Sequence, residues 1–259
     1  MSSNEWQIDG IRLFGGDKEG VLKLTKNYRE KRPFWIATVN PEFVQKARKD
    51  VEFRRVLQLT TLNVVDGIAL IWAREAKKWP TMMARLATGW ETGQDILRGY
   101  YDNQVVRGSE LMVDLVKQSP RVFLLGGFGD GAEKTGEYLK KITNHKPQIT
   151  TCIGEPGISD DEVIKQIKAF KPELLLVAYG MVKQEKWIAA HMDVLEKAGV
   201  RVVMGVGRSF DYYSGRIKQA PVKWRKMGLE WLYSLIQDPK RLGRQMEIPK
   251  FIGRVIVYG

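Results

Sequence analysis

Apolar positions along the chain fall into two kinds of stretch. Short, continuously apolar, β-branched runs occur at Phe34–Val39, Leu62–Val65, 121–125, Leu174–Ala178 and 200–206, with a weaker sixth at 149–153. Such runs read as strands buried on both faces of a parallel sheet. Between them, apolar residues recur at helical spacing. The stretch 41–59 carries Phe43, Val44, Ala47, Val51, Val56 and Leu57; 161–170 carries Val163, Ile164 and Ile167; 184–198 carries Trp187, Ile188, Met192 and Leu195. Strand alternating with helix predicts an α/β fold, a Rossmann-like, mainly parallel sheet with helices on both faces. Residues 7–13, centred on Gly10, predict a small N-terminal hairpin at the sheet edge.

Ligands of such sheets sit outside the carboxyl ends of the strands. The first strand is followed by Asn40-Pro41-Glu42 and closes on Thr38, the second by Asp66-Gly67, and the third by Gly126-Gly127-Phe128-Gly129. Gly180 and Lys183-Gln184-Glu185 follow the fifth, and Gly207, Phe210 and Asp211 the last. Five polar or glycine-rich junctions predict one shared pocket. Backbone N–H groups of the Gly126–Gly127 turn, at a helix start, suit a diphosphate or sugar, or the turn is simply tight. Asp66 closes an apolar run, where desolvation turns a carboxylate into a useful base. The other reading of Asp66 is an N-cap for the helix that follows. Lys183, Gln184 and Glu185 offer a cation and an amide at a helix start, for chemistry or for capping.

The composition fills in the outline. With 259 residues and 44% apolar content, the chain can build a real core, which excludes disorder as its main state. Residues 1–215 form the Rossmann-like core, with an insertion at about 77–105 rich in Trp, Met and Arg, read as a lid or helical excursion. Residues 216–259 form a basic C-terminal appendage, where Trp224, Met227, Trp231 and Leu235 predict an amphipathic helix. The net charge is +12; from Arg216 to Arg254, ten basic residues against three acids (Glu230, Asp238, Glu247) contribute +7. That balance implies a polyanionic partner: nucleic acid, an anionic membrane surface or a phosphorylated substrate.

Other chemistries lack residues. The one cysteine, Cys152, has no partner for an internal disulfide, and His145 and His191 stand apart from each other and from acidic pairs. No metal-ligand spacing and no nucleophile elbow occur, so no metal is expected. Ser159 and Glu162 read as a capping box. The N-terminus carries no signal-peptide pattern, and no apolar stretch approaches the roughly 20 residues of a membrane span.

Taken in order, the junctions resemble the WecG/TagA/CpsF family of bacterial glycosyltransferases over most of the chain. The matching stretches are Thr38-x-Asn40-x-Glu42, Val65-Asp66-Gly67, Gly108-Ser109-Glu110-Leu111-Met112 and Val122 to Gly127. They continue through Pro172 to Val177, Gly180, Lys183-Gln184-Glu185-x-Trp187 and Val206-Gly207-x-x-Phe210-Asp211-x-x-x-Gly215. Ala220-Pro221 and Gly228-Leu229-Glu230-Trp231-Leu232-Tyr233 complete the set. The resemblance implies a fold of the GT-E type and metal-independent, inverting transfer from a UDP-sugar of the N-acetylmannosamine kind to a polyprenyl-diphosphate-linked acceptor. It implies Asp66 as the general base, with Thr38, Asn40 and Gln184 as active-site polar groups. Gly126, Gly127, Gly180, Lys183, Glu185, Gly207, Phe210 and Asp211 are implied at the nucleotide sugar.

Departures from the family pattern accompany the match. Where the family carries an arginine facing the diphosphate, this chain has Val105, and Arg107 or Arg85 stands to replace it. Arg216 and Arg225 of the tail are further candidates, on the expectation that the tail folds over the nucleotide while its aromatics rest on lipid headgroups. That places the protein in the cytoplasm, peripheral at the inner face of the membrane, with homo-oligomerisation open. The alternatives are a nucleotide-sugar-binding protein without transferase activity and a basic nucleic-acid-binding module.

Overall fold

A computed structural model describes residues 5–154 and 158–259, Arg241 by its backbone alone. Eight strands form one sheet among the described residues: β1 (Glu5–Ile8), β2 (Ile11–Phe14), β3 (Phe34–Val39), β4 (Leu62–Val65), β5 (Arg121–Gly126), β6 (Gln148–Cys152), β7 (Leu174–Ala178) and β8 (Val202–Gly205). Their order is β1-β2-β4-β3-β8-β7-β5-β6. Every neighbouring pair is parallel except the β1–β2 hairpin. That hairpin turns on Asp9 and Gly10, with φ of 50° and 77°, the left-handed pair of a two-residue turn whose twist suits the flanking strands.

The apolar runs are continuous because both faces are covered. Along β7, Leu174 and Leu176 enter one core while Leu175 and Val177 enter another on the opposite face. A third cluster lies at the hairpin end of the sheet. The tail helix Glu247–Tyr258 belongs to it, through fully buried Phe251 and Val255. Arg254 on the same helix pairs with Asp9 of the hairpin turn at 2.6 Å. The tail is therefore part of the packed body rather than a detached arm.

Three expected elements differ. The stretch 41–59 forms two helices, Pro41–Lys49 and Val51–Leu59, because Asp50 leaves helical geometry (φ −118°, ψ 97°) and caps the second by accepting from the Phe53 N–H at 2.9 Å. The amphipathic tail helix is likewise two short ones, Val222–Lys226 and Glu230–Gln237. They part at Gly228, which has φ +69° and lies so close to Ile68 that a Cβ would come within 2.7 Å of its Cγ2. The helix expected at 161–170 runs over Asp160–Phe170, but Ser159 makes no side-chain capping bond, and Asp160 instead accepts from the Trp187 indole N–H at 2.7 Å. The inserted segment supplies one long helix, Met82–Leu97, seated on the helix Ile68–Ala76 where the Trp72 indole donates to the Gly89 carbonyl at 2.8 Å.

Candidate active site

A cleft of about 470 Å³ opens at the carboxyl ends of β3, β4, β7 and β8. The sheet supplies its floor through Thr38, Asn40, Asp66, Gly180, Val206 and Gly207. The tail supplies a wall through Arg225, Lys226, Gly228, Glu230, Trp231 and Arg244. The turn at Gly228 brings the second tail helix over the strand ends, placing Glu230 at the cleft.

Asp66 is half-buried at the end of β4. It is not the cap of the following helix: that position is Gly67, and no side chain caps the helix. The Gly108 backbone N–H lies beside the Asp66 carboxylate instead and favours its charged form. A side chain at 108 would collide with Thr38, at 2.9 Å from its Cγ2, and crowd Asp66, so glycine permits this approach. Burial, then the negative charge of Glu230, raises the Asp66 pKa to about 7, against the opposing pull of Arg107 and of the Gly108 N–H. A carboxylate tuned to neutral pH, open to a cleft, has the properties of a general base.

Gln184 reaches the floor through a buried hydrogen-bond chain whose direction is fixed at both ends by backbone donors. The Gly207 N–H donates to Gln184 Oε1 (3.0 Å), Gln184 Nε2 donates to Glu185 Oε1 (2.7 Å), and the Val182 N–H donates to Glu185 Oε2 (2.7 Å). Val182 sits at φ 74°, a strained region for a β-branched residue, and Glu185 holds it there. Burial lifts the Glu185 pKa to about 7 despite these donors. Glu185→Gln sets an amide NH₂ against another donor and strands one buried N–H, a cost of about 1–3 kcal/mol. Its thermal midpoint is expected several degrees below wild type, and an unchanged midpoint would dismiss the chain as a structural element.

Of the residues singled out from the sequence, the cleft gathers Thr38, Asn40, Asp66, Arg107, Gly180, Gln184, Gly207 and Arg225. Asn40 Oδ1 is engaged as the cap of Pro41–Lys49, accepting from the Phe43 N–H at 3.1 Å. Glu185 lies beneath the floor, and Lys183 is exposed at the start of its helix. Gly126, Gly127, Phe210, Asp211 and Arg216 do not line the cleft. Gly126 and Gly127 have φ of 86° and 92°, and a Cβ on Gly127 would meet the buried Phe210 ring at 3.1 Å. Asp211 pairs with Arg208 at 3.4 Å, and the Arg216 guanidinium lies 3.8 Å over the exposed Phe128 ring.

The cations have partners the sequence did not announce. Arg107, 10% exposed, binds Asp102 at 2.6 Å, Glu230 at 3.3 Å and the Arg225 carbonyl at 2.8 Å. Arg225 pairs with Glu110, and Arg244 grips Glu42 through two bonds of 2.8 and 2.9 Å. Arg85 lies away from the cleft, donating to the Ile256 carbonyl at 3.1 Å and to the carbonyls of Trp79 and Pro80. Val105 is buried in the cleft wall. Glu230, Gly108 and Trp72 were missed as site residues; Gly108 and Glu230 stood in matched motifs, which was the available signal.

The model of the WecG/TagA/CpsF glycosyl transferase family matches residues 6–99 and 92–259. Two curated relatives, from Staphylococcus aureus strains MW2 and NCTC 8325, are each named N-acetylglucosaminyldiphosphoundecaprenol N-acetyl-beta-D-mannosaminyltransferase. Each is 30% identical to this chain over 223 residues, covering 85% of the chain and 79% of the relative.

Proposed function

The chain belongs to the WecG/TagA/CpsF family and is a glycosyltransferase, and from that premise we propose that it transfers a sugar from UDP to a saccharide on a polyprenyl diphosphate. The N-acetylmannosamine type of donor and the N-acetylglucosaminyl acceptor are the chemistry in the relatives' names. The observation that carries this reading is the Asp66 carboxylate, free of capping duty, raised to about 7 and open to a cleft walled by cations. Asp66 takes the acceptor hydroxyl's proton as that oxygen bonds to the anomeric carbon. The bond from that carbon to the UDP oxygen breaks on the opposite face, inverting the centre.

The departing diphosphate then needs counter-charge, which fixed cations and backbone N–H groups supply without a metal. Lys226 is exposed at the cleft, and Arg225 and Arg244 sit at its wall, where an incoming diphosphate competes with Glu110 and Glu42 for them. The nucleoside is proposed to lie outside the cleft lining, on the exposed Phe128 ring beneath Arg216, with the buried Phe210 packed under the Gly126–Gly127 turn as its support. Among the described residues no helix is long and apolar enough to cross a membrane. The proposed setting is peripheral, at the inner face of the membrane, with the basic tail facing anionic lipid.

The test is UDP release from UDP-N-acetylmannosamine and related donors, with and without a lipid-diphosphate GlcNAc acceptor. Acceptor-dependent release is expected. One observation favours a second reading, binding without transfer: Val105 stands at the departure from the family arginine, and both Arg107 and Arg85 are engaged elsewhere. Thermal stabilisation by UDP-sugars, with no release across the donor panel, would select it.

A further inference from the structure

The helix Met82–Leu97 has two faces of opposite use. Gly89, Thr92 and Ile96 are buried, and Ile96 lines the cleft beside Trp72. Met82, Met83, Leu86, Trp90 and Leu97 fall within about 100° of one another around the helix axis, and all are exposed, Met83 by 69% and Trp90 by 73%. Trp79 and Tyr100, also exposed, flank the two ends of this stripe. A continuous exposed face of two methionines, two leucines and a tryptophan is unusual on a free surface and marks an interaction site.

Its surroundings indicate which partner. Exposed Lys78 and Arg98, paired with Glu75 and Asp95, bracket the helix, and exposed Lys226 lies at its far end, where its carbonyl is 3.6 Å from the position of a Cβ on Gly99. Its two acids project off the stripe: Glu91, which is exposed, and Asp95, whose carboxylate pairs with Arg98 at 3.3 Å. Apolar side chains with tryptophan at the level of basic headgroup contacts are the signature of an interfacial helix. The tail's aromatics are turned to other tasks: Trp224 packs edge-on against Tyr233 at 5.7 Å, and Trp231 lines the cleft. Trp72, Ile96, Trp231 and Ile248 line the cleft together with Asp66, and Ile96 belongs to the same helix as the stripe, on its buried face.

We infer that the exposed stripe of the helix Met82–Leu97 inserts into the lipid leaflet that holds the acceptor. It presents the cleft mouth to the surface from which the polyprenyl diphosphate projects, while the basic tail supplies the headgroup contacts. The inference rests on the proposed lipid-linked acceptor for its purpose, though not for its geometry.

Flotation with vesicles of equal parts phosphatidylcholine and phosphatidylglycerol tests it, using the full chain and a Met83→Glu/Trp90→Glu double variant. Vesicle partition of the variant is expected to fall at least about tenfold, as loss of the buried apolar area implies. Transfer to an acceptor embedded in those vesicles falls in parallel, whereas transfer to a short-chain, soluble acceptor stays at the wild-type rate. Brominated lipid should quench wild-type fluorescence more than that of Trp90→Phe, a substitution that keeps the apolar stripe. Flotation of the double variant equal to wild type, or equal quenching with and without Trp90, overturns the inference. So does a wild-type dimer that the double variant dissolves with vesicle binding unchanged, since the stripe then covers a second copy. Stripe-dependent flotation with no transfer to either acceptor supports the insertion and defeats the proposed reaction instead.

Discussion

Asp66→Asn is expected to reduce transfer by about 10²–10⁴-fold, the range set by removing a positioned general base, while leaving UDP affinity near wild type. The asparagine keeps the shape of the carboxyl and one oxygen to face the Gly108 N–H, so the fold around β4 stays intact. What disappears is the capacity to take the acceptor proton. In wild type, kcat/KM should rise with pH through an acid limb near 7, because only the ionised form of a base raised to about 7 is active. A fully active Asp66→Asn enzyme would remove the assignment.

The same substitution should stabilise the protein above neutral pH. A carboxyl whose folded pKa is raised binds its proton more tightly when folded, so it adds stability at low pH that is lost as pH climbs from its ordinary range through about 7. Asparagine carries no charge to desolvate and escapes that loss. Thermal midpoints of Asp66→Asn and wild type should therefore diverge between pH 5 and 8, the variant melting higher at the alkaline end. Activity and stability moving in opposite directions at one residue distinguishes a functional carboxylate from a structural one.

What the sequence revealed and what it hid follow from the range of the interactions involved. The strands were legible because burial on both faces demands continuous apolar runs such as 174–178, and Asp66 was legible as a charge ending such a run. The break at Asp50 was hidden, since Phe43, Val44, Val56 and Leu57 keep their burial on either side of a kink. Gly228 carried a signal, a glycine inside an amphipathic pattern, but only its contact with Ile68 makes it a corner. Asp102 stands only five residues before Arg107, but the engagement by Glu230 was beyond reach, because that partner lies 123 residues away and local spacing says nothing about it. Arg107 and Arg225, which looked available for a diphosphate, are thus already paired with acids contributed from distant elements.

That pairing yields the second large effect. Arg107→Met removes a guanidinium that ties Asp102, Glu230 and the Arg225 carbonyl together across the cleft. Breaking a fully buried pair costs roughly 3–5 kcal/mol; with Glu230 39% exposed, about 2–3 kcal/mol is expected here, read as a lower denaturation midpoint. The informative readout is the acid limb of kcat/KM. Arg107 lowers the Asp66 pKa and Glu230 raises it, so Arg107→Met should move the limb to higher pH and Glu230→Gln should move it to lower pH. Combining both substitutions should bring the limb back toward wild type while the lost stability is not restored to the same degree, because the Asp102 and carbonyl bonds stay broken. A mere loosening of the tail moves both single variants the same way, so limbs displaced in a common direction would show that the titrating group is not Asp66.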